Sequence, residues 1–317
     1  MNKSPKDHVR LFFRAYRNGP VRIGHSFIRR LADPLIGRQQ EIELRSGLKL
    51  SLDLSKGNQN AIFWHDGDVD IQQYWAIREL VPVGGTFVDC GANCGLMGLL
   101  ARQYRGANVV FIEPHPRLAK SIATNIRLNG WESSCKLIEA AVSNSGGEIS
   151  FYEDVKNDGS HSIHPSSGRE KEFLSLGKVR CLPLHEIIES RGLKKVHFLK
   201  IDTEGNDYPA LQSLASWLDP ALVEIAYVEM TEDRPAICEL MRSKGYTAFV
   251  ARSLKRRSLA RLQHQYERGG TAAFFEPLNE ALPFNGDVLW CGKNSPVANH
   301  LDELHRAGSP RHPSAGA

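Results

Sequence analysis

Long apolar runs are missing from this chain of 317 residues. None approaches the length of about 20 residues that a bilayer-crossing helix needs, so no membrane span is expected. Cysteine is sparse. The six, Cys90, Cys94, Cys135, Cys181, Cys238 and Cys291, are scattered and none forms a C-x-x-C pair. That excludes the spacing of a structural zinc and gives no sign of a disulfide framework. An excess of one charge is also absent: the formal net charge is +4, which does not fit a strongly basic nucleic-acid binder. No internal repeat occurs, and no G-x-G-x-x-G dinucleotide fingerprint. Isolated thiols predict a reducing, cytoplasmic setting, and the charged amino end predicts no secretory signal.

With 41% hydrophobic residues the chain can bury one sizeable core with appendages. Its charge is uneven. Ahead of Glu41 stand nine basic residues, Lys3 to Arg38, against only Asp7 and Asp33. Residues 8–36 place apolar side chains at Phe12, Phe13, Tyr16, Phe27, Ile28 and Leu31, which predicts two short amphipathic helices with arginine outside. Such a basic arm packs on the domain or makes peripheral contact with an anionic membrane. Residues 41–54 alternate apolar and polar around Ser46-Gly47, which predicts a β-hairpin. The polar and aromatic stretch from Gly57 to Asp70 reads as a loop. The expected organisation is an arm and hairpin over 1–78, one domain over 79–295, and a disordered tail over 296–317.

The domain is organised around Thr86 to Gly95. Phe87 and Val88 form a buried strand, Asp89 stands at its carboxyl end, and Gly91, Asn93 and Gly95 space a turn into a helix beginning at Leu96. A glycine turn at a helix amino end lets backbone amides approach a ligand. The next strand, Val109 to Ile112, ends in Glu113-Pro114-His115-Pro116. An acid at that second tip, about twenty residues past the glycine turn, is placed to accept hydrogen bonds from a ribose diol. A third strand over 137–142 ends in small residues, Ala140 and Ala141, against which a purine can lie flat. A polar stretch containing His161 and His164 then separates two accessory strands. A fourth strand, Val196 to Ile201, runs into Asp202-Thr203-Glu204-Gly205-Asn206-Asp207. Three acids on one tip repel one another and raise one another's pKa, which points to function rather than stability. Further strands over 222–230, 246–251 and 287–291 follow, with a basic, polar excursion from Arg252 to Pro283.

Strands alternating with helices and closing on helix, strand, strand suggest a doubly wound α/β sheet. Three segments go further. Phe-Val-Asp-Cys-Gly-Ala-Asn-Cys-Gly at 87–95, Ile-Glu-Pro-His-Pro at 112–116 and Phe-Leu-Lys-Ile-Asp-Thr-Glu-Gly-Asn-Asp at 198–207 together resemble the FkbM-type methyltransferases. The resemblance covers roughly residues 79–230. It implies a Rossmann-like class I methyltransferase fold, with a seven-stranded, mostly parallel sheet, helices on both faces, and the amino-terminal helices and hairpin as an extension. It also implies S-adenosylmethionine as cofactor and O-methylation of a sugar, glycan or polyketide-like acceptor. Carried over, Asp89, Gly91, Asn93 and Gly95 surround the methionine end, Glu113 and Pro114 the ribose, and Ala141 the adenine. Asp202 and Glu204 line the methyl-transfer site. The family often has Glu where this chain has Asp207.

An alcohol is a poor nucleophile until a base takes its proton. Asp202 and Glu204 are candidates, and His161 is a third because imidazole titrates near neutral pH. A divalent cation on the acids is an alternative way to lower the hydroxyl pKa, although no residue set is assigned as metal ligands. The competing readings are an NAD-dependent oxidoreductase, an RNA or protein methyltransferase, and a silent cofactor-binding protein. The first lacks its fingerprint. Against the second, no Asn-Pro-Pro-Tyr-type motif for amino-nitrogen transfer is present and no basic-aromatic sheet for RNA, so a small-molecule or glycan partner is expected and no nucleic acid.

Overall fold

The computed structural model describes residues 37–67, 69–154, 173–230, 233–252, 266, 274–278 and 286–308. The expected arm over 1–36, most of the basic excursion and the end of the tail lie outside them. Strands β1 (Gln39–Glu43) and β2 (Lys49–Asp53) form the expected antiparallel hairpin. The first part of the stretch read as a loop over 57–70 is instead helical, α1 spanning Gly57–His65, and α2 (Ile71–Leu80) follows it. Asp70 starts α2 by accepting a hydrogen bond from the Gln73 amide. Polar composition hid α1, because its Gln59 and Asn60 point inward; Gln59 accepts from the Asp53 amide and Asn60 donates to the Leu54 carbonyl.

The alternation continues with β3 (Thr86–Cys90), α3 (Leu96–Arg105), β4 (Asn108–Ile112), α4 (Pro116–Leu128) and β5 (Cys135–Ile138). The strand expected over 137–142 is divided, since Ala141–Val142 forms β6 in a separate sheet with β7 (Gly147–Asp154) and β8 (Phe173–Leu182). Then come α5 (Leu184–Ser190), β9 (Val196–Ile201), α6 (Asp207–Gln212), β10 (Val223–Met230), α7 (Arg234–Ser243), β11 (Tyr246–Ala251), β12 (Phe275–Pro277), β13 (Gly286–Gly292) and α8 (Pro296–Gly308). Thus the excursion carries an edge strand, and the tail is not disordered from 296. Helix α8 buries Ala298, Leu301 and Leu304, a helical spacing.

The main sheet has the order β12-β11-β13-β10-β9-β3-β4-β5. Strands β5, β4, β3, β9 and β10 run parallel, while β13 is antiparallel to both neighbours. This is the expected seven-stranded sheet with β12 added at one edge. Alternate residues face opposite layers. Phe87, Phe111, Phe198 and Tyr227 pack with the hairpin, α2 and α3, while Val88, Val110, Leu199 and Val228 pack with α5, α6 and α7. The hairpin therefore shares the main core. It is also bonded to α4: Asn125 Oδ1 accepts from the Ser51 amide at 2.7 Å, and Asn129 Oδ1 from the Lys49 amide at 3.0 Å. No helix among the described residues is long and apolar enough to cross a membrane.

Candidate functional site

The carboxyl ends of β3, β4 and β9 meet, and the chain leaves each by a turn rather than continuing the sheet. Parallel strands that all end on one side leave a crevice there. A cavity of about 430 Å³ fills it. Its lining includes Gly91, Asn93 and Glu113, the apolar Pro114, Leu118, Ala141 and Phe151, and the polar Asp70, Gln73, Asp202 and Glu204.

Gly91 is required by packing more than by a ligand. With φ +74°, a Cβ there would lie 1.8 Å from the Asp202 carbonyl oxygen, so the β3 turn can pass the β9 turn only without a side chain. Asn93 also has positive φ, 54°, which asparagine tolerates. Gly95, φ +82°, precedes the first residue of α3; a Cβ there would meet Ile122 at 3.1 Å.

Glu113 is 4% exposed and binds the turn to its own strand end. One carboxylate oxygen accepts from the Asn93 amide at 2.7 Å, the other from the His115 amide at 2.9 Å. Burial nevertheless pushes its pKa up to about 7. Each oxygen keeps a second lone pair, so a diol could still be bound from the cavity side.

Asp89 does not line the cavity. It is fully buried, with Oδ2 accepting from the Gly98 amide of α3 at 2.9 Å and Oδ1 3.5 Å from Lys200 Nζ. Burial raises its pKa. Neither Asp89 nor Gly95 lines the cavity: Asp89 ties α3 to the sheet, and Gly95 serves the turn. A carboxylate at the end of a strand followed by glycines does not distinguish the two roles by sequence.

Lys200, a residue to which the sequence assigned no role, is the centre of the electrostatics. It is 5% exposed; its Nζ donates to the Gly91 carbonyl at 3.0 Å and pairs with Asp202 at 3.1 Å. Burial disfavours the ammonium, but Asp202 and Asp89 outweigh it and hold the pKa above the ordinary lysine value. The strand pattern gave a signal: Lys200 stands where a buried apolar residue would otherwise sit.

The three acids after β9 have separate tasks. Asp207, 2% exposed, accepts from the amide and hydroxyl of Thr203 at 2.8 and 3.0 Å, which closes its own turn. It does not line the cavity. Asp202 and Glu204 line the cavity. Glu204 has φ 55°, a left-handed conformation unusual for glutamate. Burial, then the charges of Asp202 and Asp207, push its pKa up to about 8. Carboxylate oxygens of Asp202, Glu204 and Glu229 lie within 4.8 Å of one another. Glu229, on β10, is raised to about 9 by burial and then by Asp202 and Glu204. Asp287 on β13 is raised to about 7 by burial and then by Asp70 and Asp202. Asp70, Glu229 and Asp287 escaped sequence reasoning because they belong to a helix start and two distant strands. His161 lies outside the described residues.

Residues 89–248 match the methyltransferase FkbM domain. Methyltransferase sdnD of Sordaria araneosa is 25% identical over 197 residues, covering 52% of this chain and 75% of that protein. Among solved structures, TYW2 of M. jannaschii in complex with AdoMet is 13% identical with a TM-score of 0.40, over 80% of this chain and 85% of that one. A human methyltransferase 10 domain containing protein is 9% identical with a TM-score of 0.45, over 92% and 98%. The topology is that of a Rossmann-like class I methyltransferase.

Proposed function

The chain belongs to the FkbM methyltransferase family, and we propose that it transfers a methyl group from S-adenosylmethionine to a hydroxyl oxygen of a sugar, glycan or polyketide-like acceptor. The observation that carries this reading is one cavity lined by both Glu113 and Glu204. Its volume is within the range of small-ligand pockets, roughly 300–1,000 Å³. The residues fit the cofactor chemically. Glu113 offers acceptors to a ribose diol, the apolar Ala141 and Pro114 suit the adenine, and the carboxylates of Asp202 and Glu204 suit a sulfonium and an ammonium group.

When bound, S-adenosylmethionine supplies an electrophilic methyl group. Asn93 and Gly91 would flank its methionine part. Glu204 is the better base of the two acids, because a pKa of about 8 is matched to proton removal near neutral pH. Asp202, paired with Lys200, holds negative charge beside the reacting centre. The proton acceptor, Glu204, is thus kept separate from the ion pair of Lys200 and Asp202 that fixes the turn.

The acidic lining favours a neutral acceptor over a polyanion. Asp70, Asp202 and Glu204 would face the phosphates of an RNA with the wrong sign. A second reading adds a divalent cation on Asp202, Glu204 and Glu229, whose oxygens lie within 4.8 Å of one another. The basic arm over 1–36 is proposed to make peripheral membrane contact, with the enzyme cytoplasmic.

Calorimetric titration with S-adenosylmethionine, S-adenosylhomocysteine and NAD tests the cofactor, followed by methyl transfer to a panel of hydroxylated acceptors with and without EDTA. Micromolar binding of the first two and none of NAD is expected. Binding of NAD alone would sink the proposal; loss of transfer in EDTA restored by Mg²⁺ would establish the cation.

A further inference from the structure

Beside the cavity-lining residues Pro114, Leu118 and Phe151, one carboxylate gathers three basic side chains. Glu153 on β7 is 3.2 Å from Lys56 Nζ, 3.3 Å from Arg117 Nη2 and 3.7 Å from His115 Nε2, all measured to the same oxygen, Oε1. The side chains are largely shielded, at 15% exposure for Glu153, 22% for Lys56 and 5% for His115. These partners come from three places: Lys56 precedes α1, His115 and Arg117 open α4, and Glu153 belongs to the small sheet.

Phe151 is two residues earlier on the same strand, across a register irregularity between Phe151 and Tyr152, and shares His115 as a neighbour with Glu153. It is 3% exposed, lines the cavity, and meets the His115 ring edge-on at 6.2 Å between centroids. The small sheet joins the main core through Val142 and Leu182 and has a cluster of its own in Ala141, Phe151 and Cys181. Glu153 adds a polar tie from this sheet to α4 and to the start of α1.

We propose that Glu153 is a positioning residue that sets Phe151 against the adenine end of the cofactor, using Lys56 and Arg117 as its anchors. The inference rests on the reading of this cavity as an S-adenosylmethionine site. Lys56 lies before the matched family domain, which begins at residue 89, so the extension around the hairpin contributes to cofactor affinity. Partial burial makes these charge-assisted bonds less open to screening than surface pairs.

The test is a double-mutant cycle on S-adenosylhomocysteine affinity with Glu153→Gln, Phe151→Ala and the pair, each checked for a cooperative melt. Each single change is expected to weaken binding about tenfold, the scale of a lost aromatic contact. The double variant should bind no worse than Phe151→Ala alone, because Glu153 acts through that ring. Adenosine, which carries only the base end, should lose the same factor. Lys56→Met, at a less buried position, should reproduce part of the loss and Lys56→Arg restore it. Multiplied losses in the double variant, or unchanged affinity in both Glu153→Gln and Lys56→Met, would overturn the role. Failure of the unaltered protein to bind S-adenosylhomocysteine would instead remove the cofactor reading, and this role with it.

Discussion

The Nζ of Lys200 lies 3.1 Å from Oδ2 of Asp202. The same ammonium is 3.5 Å from Asp89 and donates to the Gly91 carbonyl, so one buried cation joins the ends of two adjacent strands to the glycine turn. It offsets part of the repulsion among the acids. Removing it leaves the fully buried Asp89 carboxyl without its counterion. Breaking a buried pair from one side typically costs about 3–5 kcal/mol. Lys200→Met should therefore lower stability by that order in urea unfolding, and adding Asp89→Asn should recover part of it. Equal stability of Lys200→Met and the unaltered protein would refute this electrostatic account.

Gly91→Ala is expected to be worse than an ordinary loop substitution. Its Cβ would stand 1.8 Å from the backbone oxygen of Asp202, and backbone at a strand end cannot rotate aside as a side chain can. The φ of +74° adds strain of about 1 kcal/mol or more. We expect a melting temperature lower by several degrees together with loss of cofactor binding. Gly205→Ala is the control, since φ there is also positive, +96°, but no atom lies within 4 Å of its Cβ position.

Much of this was legible in the chain itself. The strands over 196–201 and 246–251 match their elements to the residue, because short apolar runs bounded by glycine, proline or charge leave little choice. Glu113, Asn93, Asp202 and Glu204 do converge on the cavity. Helix α1 was not legible: its apolar residues Ile62, Phe63 and Trp64 are contiguous rather than spaced, and buried Gln59 and Asn60 resemble loop residues. Nor was the split of 137–142 into two sheets, since a chain turning at Glu139-Ala140 carries neither glycine nor proline there. Lys200 was quoted within a motif but its function depends on two turns that sequence separates by over a hundred residues.

Glu113→Ala should separate cofactor binding from catalysis. It removes both the diol acceptor and the bonds to the Asn93 and His115 amides, so the turn loosens as well. Affinity for S-adenosylmethionine is expected to fall by about tenfold or more by calorimetry, the scale of one charge-assisted hydrogen bond. Glu113→Gln keeps the shape and one acceptor oxygen and should fall between. A Glu113→Ala variant with unchanged affinity but lost turnover would move Glu113 from the cofactor to the acceptor.

The pH dependence of Glu204 has two signatures of opposite sign. Its pKa is raised from 4.5 to about 8 in the folded protein. A raised carboxyl pKa means that the folded state holds the proton more tightly, so its stabilising contribution is full below pH 4.5 and is lost as pH rises through about 8. Catalysis by the same group needs the proton gone. Turnover at saturating substrates should therefore climb with pH and level off above about 8. Glu204→Gln should cut turnover by on the order of a hundredfold and flatten its rise. The same variant should melt higher than the unaltered protein at pH 9, because it no longer carries a buried charge among Asp202, Asp207 and Glu229. A rise in turnover that persists unchanged in Glu204→Gln would assign the base to another group, and an equal melt at pH 9 would show that Glu204 is not raised in the folded state.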